Sequence, residues 1–177
     1  ESVLTSKLTY SINIDKYTSF SSDFIAYEDL SKRNNDRFQY ILPNFTFNKK
    51  LELDKNYNGS FQFKSSGFQK NYDTNKYESL LINDFLFKSN DYINKNGLKV
   101  NYDFLVKNFN SYTENSTSYK SKEDYEVFGA FLIKTSLPLK KIDDDGNDYL
   151  KPIASFRYSP NNTKNISDKD LRLSYDN

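Results

Sequence analysis

The chain has 177 residues, 36% of them hydrophobic and 17% aromatic, with 15 Phe and 15 Tyr and a mean hydropathy of −0.84; the low hydrophobicity points toward disorder, but disordered chains are poor in aromatics, so the aromatic load excludes it. The 25 basic and 24 acidic residues are spread along the chain and leave a net charge of +1, which argues against a nucleic-acid partner. With no Cys and no His there is no disulfide, no thiolate zinc site and no imidazole base.

The chain opens on Glu1-Ser2-Val3-Leu4, a strand-like start with no initiator Met and no signal-peptide pattern, so a longer chain is expected upstream. From Leu4 to Ile14 the even positions are Leu4, Ser6, Leu8, Tyr10, Ile12 and Ile14, against Thr5, Lys7, Thr9, Ser11 and Asn13. That period of two predicts a strand with one apolar and one polar face. Less regular strands are predicted at Tyr17–Tyr27 and Phe38–Leu42. The run Phe45, Phe47, Lys49, Leu51, Leu53 then opposes Asn44, Thr46, Asn48, Lys50, Glu52. Tyr57, Gly59, Phe61 and Phe63 oppose Asn58, Ser60, Gln62 and Lys64, with a turn at Asp54-Lys55-Asn56 joining the two runs into a hairpin. A strand at Tyr77–Lys88 is followed by the turn signal Asn96-Gly97 and the alternating run Leu98, Val100, Tyr102, Phe104, Val106. Further strands are predicted at Tyr125–Leu137, Ile153–Tyr158 and Leu171–Tyr175. Polar clusters at Ser31–Asp36, Phe68–Lys76, Ser111–Asp124 and Lys140–Tyr149 read as the longer connections between them.

The resulting fold class is all-β: an antiparallel up-and-down meander of about nine or ten strands. Periodicity does not say what covers the apolar face, since a soluble sandwich buries it and a membrane barrel turns it to lipid. No apolar run approaches the roughly 20 residues of a membrane helix, which says nothing about strands. Several strands reach the roughly nine to eleven residues that cross a bilayer when tilted, and Tyr10, Tyr17, Tyr27, Tyr57, Tyr77, Tyr125 and Tyr158 recur near strand ends, as an interfacial girdle requires.

Candidate sites are few. Asp143-Asp144-Asp145-Gly146-Asn147-Asp148 resembles the start of a calcium loop but lacks its spacing, with Lys151 following, and reads as a solvated hairpin loop. Sequons at Asn44, Asn58, Asn115, Asn161 and Asn165 are expected by chance in so Asn- and Ser-rich a chain. Neither a phosphate loop nor a nucleophile elbow occurs, and acids such as Glu123-Asp124 are scattered on a polar face, so no catalytic, cofactor or metal residue is assigned and an enzyme is not expected.

Two stretches carry a family resemblance. Tyr27 to Phe45, YEDLSKRNNDRFQYILPNF, resembles a segment of the C-terminal barrel of the LptD family of lipopolysaccharide-assembly outer-membrane proteins, also called organic solvent tolerance proteins. There a strand ends in an acidic loop and the next begins with an Asp-Arg-aromatic run leading to Leu-Pro. Lys151 to Asn177, KPIASFRYSPNNTKNISDKDLRLSYDN, is similar to that family's run of Pro, a small residue, aromatic-Arg-aromatic-Ser-Pro, a polar loop and an Asp/Arg strand. The middle of the chain, about 68 to 150, matches by pattern alone. The resemblance implies that residues 1–177 are an interior section of a much larger transmembrane β-barrel, without its jelly-roll domain or gate strands. It implies a non-catalytic translocon at the bacterial outer membrane that delivers lipopolysaccharide to the outer leaflet, driven by an inner-membrane ATPase. Its implied partners are lipopolysaccharide, membrane lipid, a plug lipoprotein and a periplasmic bridge protein. Glu28 to Asp36 then becomes a rim loop, Pro43 falls at a strand start or a bulge, and Lys99, Asn101 and Asp103 line the lumen. Two other classes share the pattern: another outer-membrane barrel, such as a porin or receptor, and a soluble β-sandwich for carbohydrate binding or adhesion with Phe45, Phe47, Phe61 and Phe63 in its core.

Overall fold

Alternation of apolar and polar residues along extended runs leads to one dominant sheet. The computed structural model describes residues 2–33, 37–52, 58–73, 75–119, 121–143 and 146–160. Its strands are β1 (Val3–Asp15), β2 (Thr18–Asp29), β3 (Phe38–Glu52), β4 (Gly59–Tyr72), β5 (Tyr77–Ser89), β6 (Tyr92–Ile93), β7 (Lys99–Glu114), β8 (Lys122–Ser136), β9 (Leu139–Asp143), β10 (Gly146–Leu150) and β11 (Ile153–Tyr158). A nine-stranded sheet follows the order β1-β2-β3-β4-β5-β7-β8-β11, with the short β6 also paired to β7. Every pairing is antiparallel and joins consecutive strands, except that β5 pairs with β7 past the short β6 and β8 pairs with β11 past the β9–β10 hairpin. The all-β meander expected from sequence is therefore present. The sheet is open among the described residues, with β1 hydrogen-bonded only to β2 and β11 only to β8.

Several boundaries differ from the sequence reading. The two runs on either side of Pro43 are one strand, β3. Its register against both neighbours shifts between Ile41 and Asn44, so the strand carries one extra residue there, and Pro43 sits in that bulge, where a missing N–H breaks no ladder bond. The expected loop at Phe68–Lys76 is strand as far as Tyr72, because Phe68 is buried opposite Leu80 while Gln69, Lys70 and Asn71 pair with Ser79, Glu78 and Tyr77. The expected loop at Ser111–Asp124 shortens likewise, β7 running to Glu114 and β8 starting at Lys122. Lys140–Tyr149 belongs to the β9–β10 hairpin, with Lys141 paired to Asp148. Asn34–Asp36, the turn at Asp54-Lys55-Asn56, Leu53 and Tyr57, Asp144-Asp145, and the C-terminal stretch from Asn161, with its two sequons and the strand at Leu171–Tyr175, lie outside the described residues.

Residues paired across an antiparallel ladder share a face, so the register sorts the whole sheet. One face carries Leu8, Tyr10, Ile12, Phe20, Phe45, Phe47, Phe61, Phe63, Phe85, Phe87, Tyr102, Phe104, Phe131, Phe156 and Tyr158. The other mixes polar residues, Lys7, Thr9, Asp23, Asn44, Thr46, Lys64, Ser66, Glu78, Asp84, Asp103, Lys107, Ser111 and Lys134, with the apolar Ile25, Phe68, Leu80, Ile82, Leu105, Phe109, Phe128 and Leu132, and is called the polar face below.

Candidate functional site

Burial is concentrated on one face of the sheet, which mixes apolar with polar and charged side chains. Lys107, on the polar face, is 4% exposed, whereas Leu8, on the apolar face, is 68% exposed. Phe68, Leu80, Ile82, Phe109 and Phe128 form the buried cluster, and their register puts them on the polar face, interleaved with Ser66, Glu78, Lys107 and Thr113. The β7–β8 connection folds over that face: Tyr119 packs on the cluster and Ser116 Oγ donates to Glu78 Oε1 at 2.7 Å. Lys76 Nζ stands 3.4 Å from the same carboxylate oxygen.

Several charges on the polar face are held in pairs. Lys107 Nζ lies 2.7 Å from Asp84 Oδ1 across the β5–β7 ladder, and Lys134 Nζ lies 3.6 Å from Asp103 Oδ2 across β7–β8. The contact to Asp84 is poorly angled for a hydrogen bond, yet at that distance it is an ion pair, so the buried ammonium has its counter-charge. On the β1–β2 ladder Asp23 accepts from Thr9 Oγ1 at 2.7 Å and meets Lys7 Nζ at 3.1 Å. The same face holds a cavity of about 100 Å³, floored by Leu86, Leu105 and Leu132 and rimmed by Lys88, Lys134 and Arg157. Asn101 and Asp103, expected to line a lumen, are on this polar face, as is Lys99.

The apolar face is a sheet of rings. Phe47 and Phe63 lie 6.1 Å apart, Phe63 and Phe85 4.9 Å, Phe87 and Tyr102 5.7 Å, and Tyr102 and Phe131 6.4 Å, so aromatic contacts cross from β3 to β8. Phe45, Phe47, Phe61 and Phe63 all lie on it. Nothing among the described residues covers it: Leu4, Leu8, Tyr10, Ile12, Ile14, Phe85, Tyr102, Phe104, Val127 and Phe156 are all exposed. Burying each would contribute about 1.5–3 kcal/mol, and together they exceed the roughly 5–15 kcal/mol net stability of a typical domain. A face of this size demands a cover.

The stretch between β2 and β3 makes a tied hairpin end. Asp29 accepts from the backbone N–H of Ser31 at 3.0 Å and from its hydroxyl at 2.6 Å, and Arg37 is paired to Glu28 through its Nε, at 2.7 Å, and Nη2. Among the described residues no group of three or more acidic side chains is placed to hold a metal ion, and no helix is long and apolar enough to cross a membrane. Sequence reasoning missed the buried Lys107–Asp84 pair, since in the alternating pattern both read as solvated.

The class these observations define is all-β: an open antiparallel meander sheet with one face buried around a mixed apolar and polar cluster and the other, among the described residues, an uncovered layer of aromatic and aliphatic side chains. No protein-family model matches the chain, and no curated protein matches it in sequence.

Proposed function

We propose that the chain is a wall segment of an outer-membrane β-barrel that serves lipopolysaccharide transport and assembly, inserting lipopolysaccharide into the outer leaflet without catalysis. One observation carries the barrel: the aromatic and aliphatic face stands uncovered among the described residues, from Leu8 on β1 to Phe156 on β11, while the opposite face holds buried charged and hydroxyl groups such as Lys107 and Thr113 beside its apolar cluster, an arrangement that fits a wall with lipid outside and a lumen inside. Strands of 12 to 16 residues from β1 to β8, the two-residue β6 aside, are long enough to cross a bilayer at a tilt, and between the two open edges the ladder bonds run from strand to strand, which suits a medium that offers none. The lipopolysaccharide assignment is supported by the resemblance of Tyr27–Phe45 and Lys151–Asn177 to the LptD family. In this reading the lumen face works through paired charges and hydroxyls, lipopolysaccharide and the plug lipoprotein are the partners, and the Glu28–Arg37 hairpin end is a rim loop.

The test uses the full-length protein in bilayers with lipid-borne quenchers and a fluorophore on single Cys substitutions of Phe45, Thr46, Phe47 and Asn48. Quenching at 45 and 47 but not at 46 and 48 is the expected result. A protein that stays in solution, with 45 and 47 unquenched, removes the barrel and moves the sugar-binding sandwich forward. Depletion of the protein in its cell then separates barrels: loss of surface lipopolysaccharide is expected here, and unchanged surface lipopolysaccharide would assign a porin or receptor instead.

A further inference from the structure

We propose that a stripe of amide side chains halfway along the strands of the apolar face is the contact through which two copies of the protein meet side by side. The inference rests on the membrane reading above and adds a partner to it.

The stripe is continuous across three strands. Ser65 Oγ donates to Asn83 Oδ1 at 2.8 Å, and Asn83 Nδ2 donates to Asn108 Oδ1 at 3.1 Å. Asn108 and Asn110 then exchange amide hydrogen bonds, at 3.3 Å and 2.6 Å. Register puts all four on the apolar face, with Ser65 opposite Asn83 and Asn83 opposite Asn108, while Phe63, Phe85 and Val106 form the next row toward one end. Ser65 sits halfway along β4 and Asn83 halfway along β5, the depth farthest from both strand ends.

In a spanning wall that depth is the driest, and a polar group there must find a partner. An amide carries two N–H groups. Asn83 donates once and Asn108 once among the described residues, so each keeps an N–H to spare. Lipid tails offer no acceptor. The stripe is uncharged, which gives an ion no counter-charge, whereas an amide both donates and accepts and so complements another amide. A second copy related by a twofold axis along the membrane normal brings its own stripe to the same depth, and the contact closes on itself. Side-chain hydrogen bonds between membrane segments are individually weak, so a few of them together shift dimerisation about tenfold.

The experiment uses the full-length protein in lipid vesicles. Val127→Cys, opposite Asn108 on the same face and outside the stripe itself, is expected to give an oxidised dimer and Leu8→Cys, on the same face at β1, none. The variant carrying Asn83→Leu with Asn108→Leu is expected to dimerise about tenfold more weakly, with lipid quenching at position 8, far across the sheet on β1, unchanged. A membrane-inserted monomer, with a fluorophore at 127 quenched by lipid as fully as one at 8, overturns the contact and leaves the barrel standing; so does a dimer that the two Leu substitutions do not weaken. A chain that never enters the bilayer overturns both readings.

Discussion

Two residues show how tightly the sheet is set. Gly67 lies between Phe45 on β3 and Leu81 on β5, and a Cβ there would stand 2.2 Å from the Leu80 carbonyl oxygen and 3.1 Å from the Phe45 ring. The first of those neighbours is backbone and has little room to give. Gly67→Val is therefore expected to cost about 1–3 kcal/mol or to block assembly, whereas Gly129→Ala, whose nearest neighbour would be 3.9 Å away, is expected to be near neutral. The folded fraction on unheated gels and the urea midpoint read both, and equal behaviour would contradict the packing described. Lys107 is the second case. With its ammonium buried against Asp84, Lys107→Met strands a carboxylate that is only partly exposed, for an expected loss of roughly 2–3 kcal/mol. Adding Asp84→Leu removes the orphan charge and is expected to return most of that loss. A double-mutant cycle on urea midpoints checks it, and simple additivity of the two changes would show that the pair does not interact.

At the scale of the strand, the bulge in β3 allows a sharper test. Between Ile41 and Asn44 the strand spends one residue more than either neighbour, so deleting Pro43 restores a regular ladder and keeps Phe45 and Phe47 on their face. Deleting Asn48 instead slips everything beyond it by one and exchanges the two faces of the strand end. Deletion of Pro43 is expected to leave a folded, inserted protein and deletion of Asn48 to lose most of it, as measured by protease protection of the reconstituted chain; the reverse order would mean that the bulge sets the register. The same strand shows what was legible in advance. Leu4–Ile14 and Phe45–Leu51 alternate so cleanly that their existence and their faces were readable. Residues 69–72 and 111–114 were not, because Gln69, Asn71, Ser111 and Thr113 give no contrast between faces, while the ladder that holds them depends on backbone pairing to β5 and β8. Which face is buried could not be read either, since a period of two has no sign; that needed Phe68, Ile82 and Phe109, from three separate strands, to be brought together on the polar side. Lys107 and Asp84 were hidden for the same reason, as each finds its partner only when β5 and β7 pair.

Across the whole sheet, the unpaired edges decide how residues 1–177 behave alone. The outer edge of β1 presents a 13-residue strand with every side chain exposed, and β11 presents its six residues in the same state. Unpaired N–H and C=O groups in such rows template pairing with another chain, and here they adjoin an apolar face that is also open. Neither short length nor a run of edge prolines blunts β1, although Lys7 and Asp15 give it two charges. On the barrel proposed above, the segment alone in mild detergent is therefore expected to associate through its edges into heterogeneous oligomers, while the same residues within a longer chain that closes the sheet stay in one discrete species. Sedimentation of the two side by side distinguishes them. A segment that sediments as a single monomer, with amide hydrogen exchange at β1 as slow as at β5, would mean that this sheet closes without further strands, and the large barrel would have to be replaced by a small one.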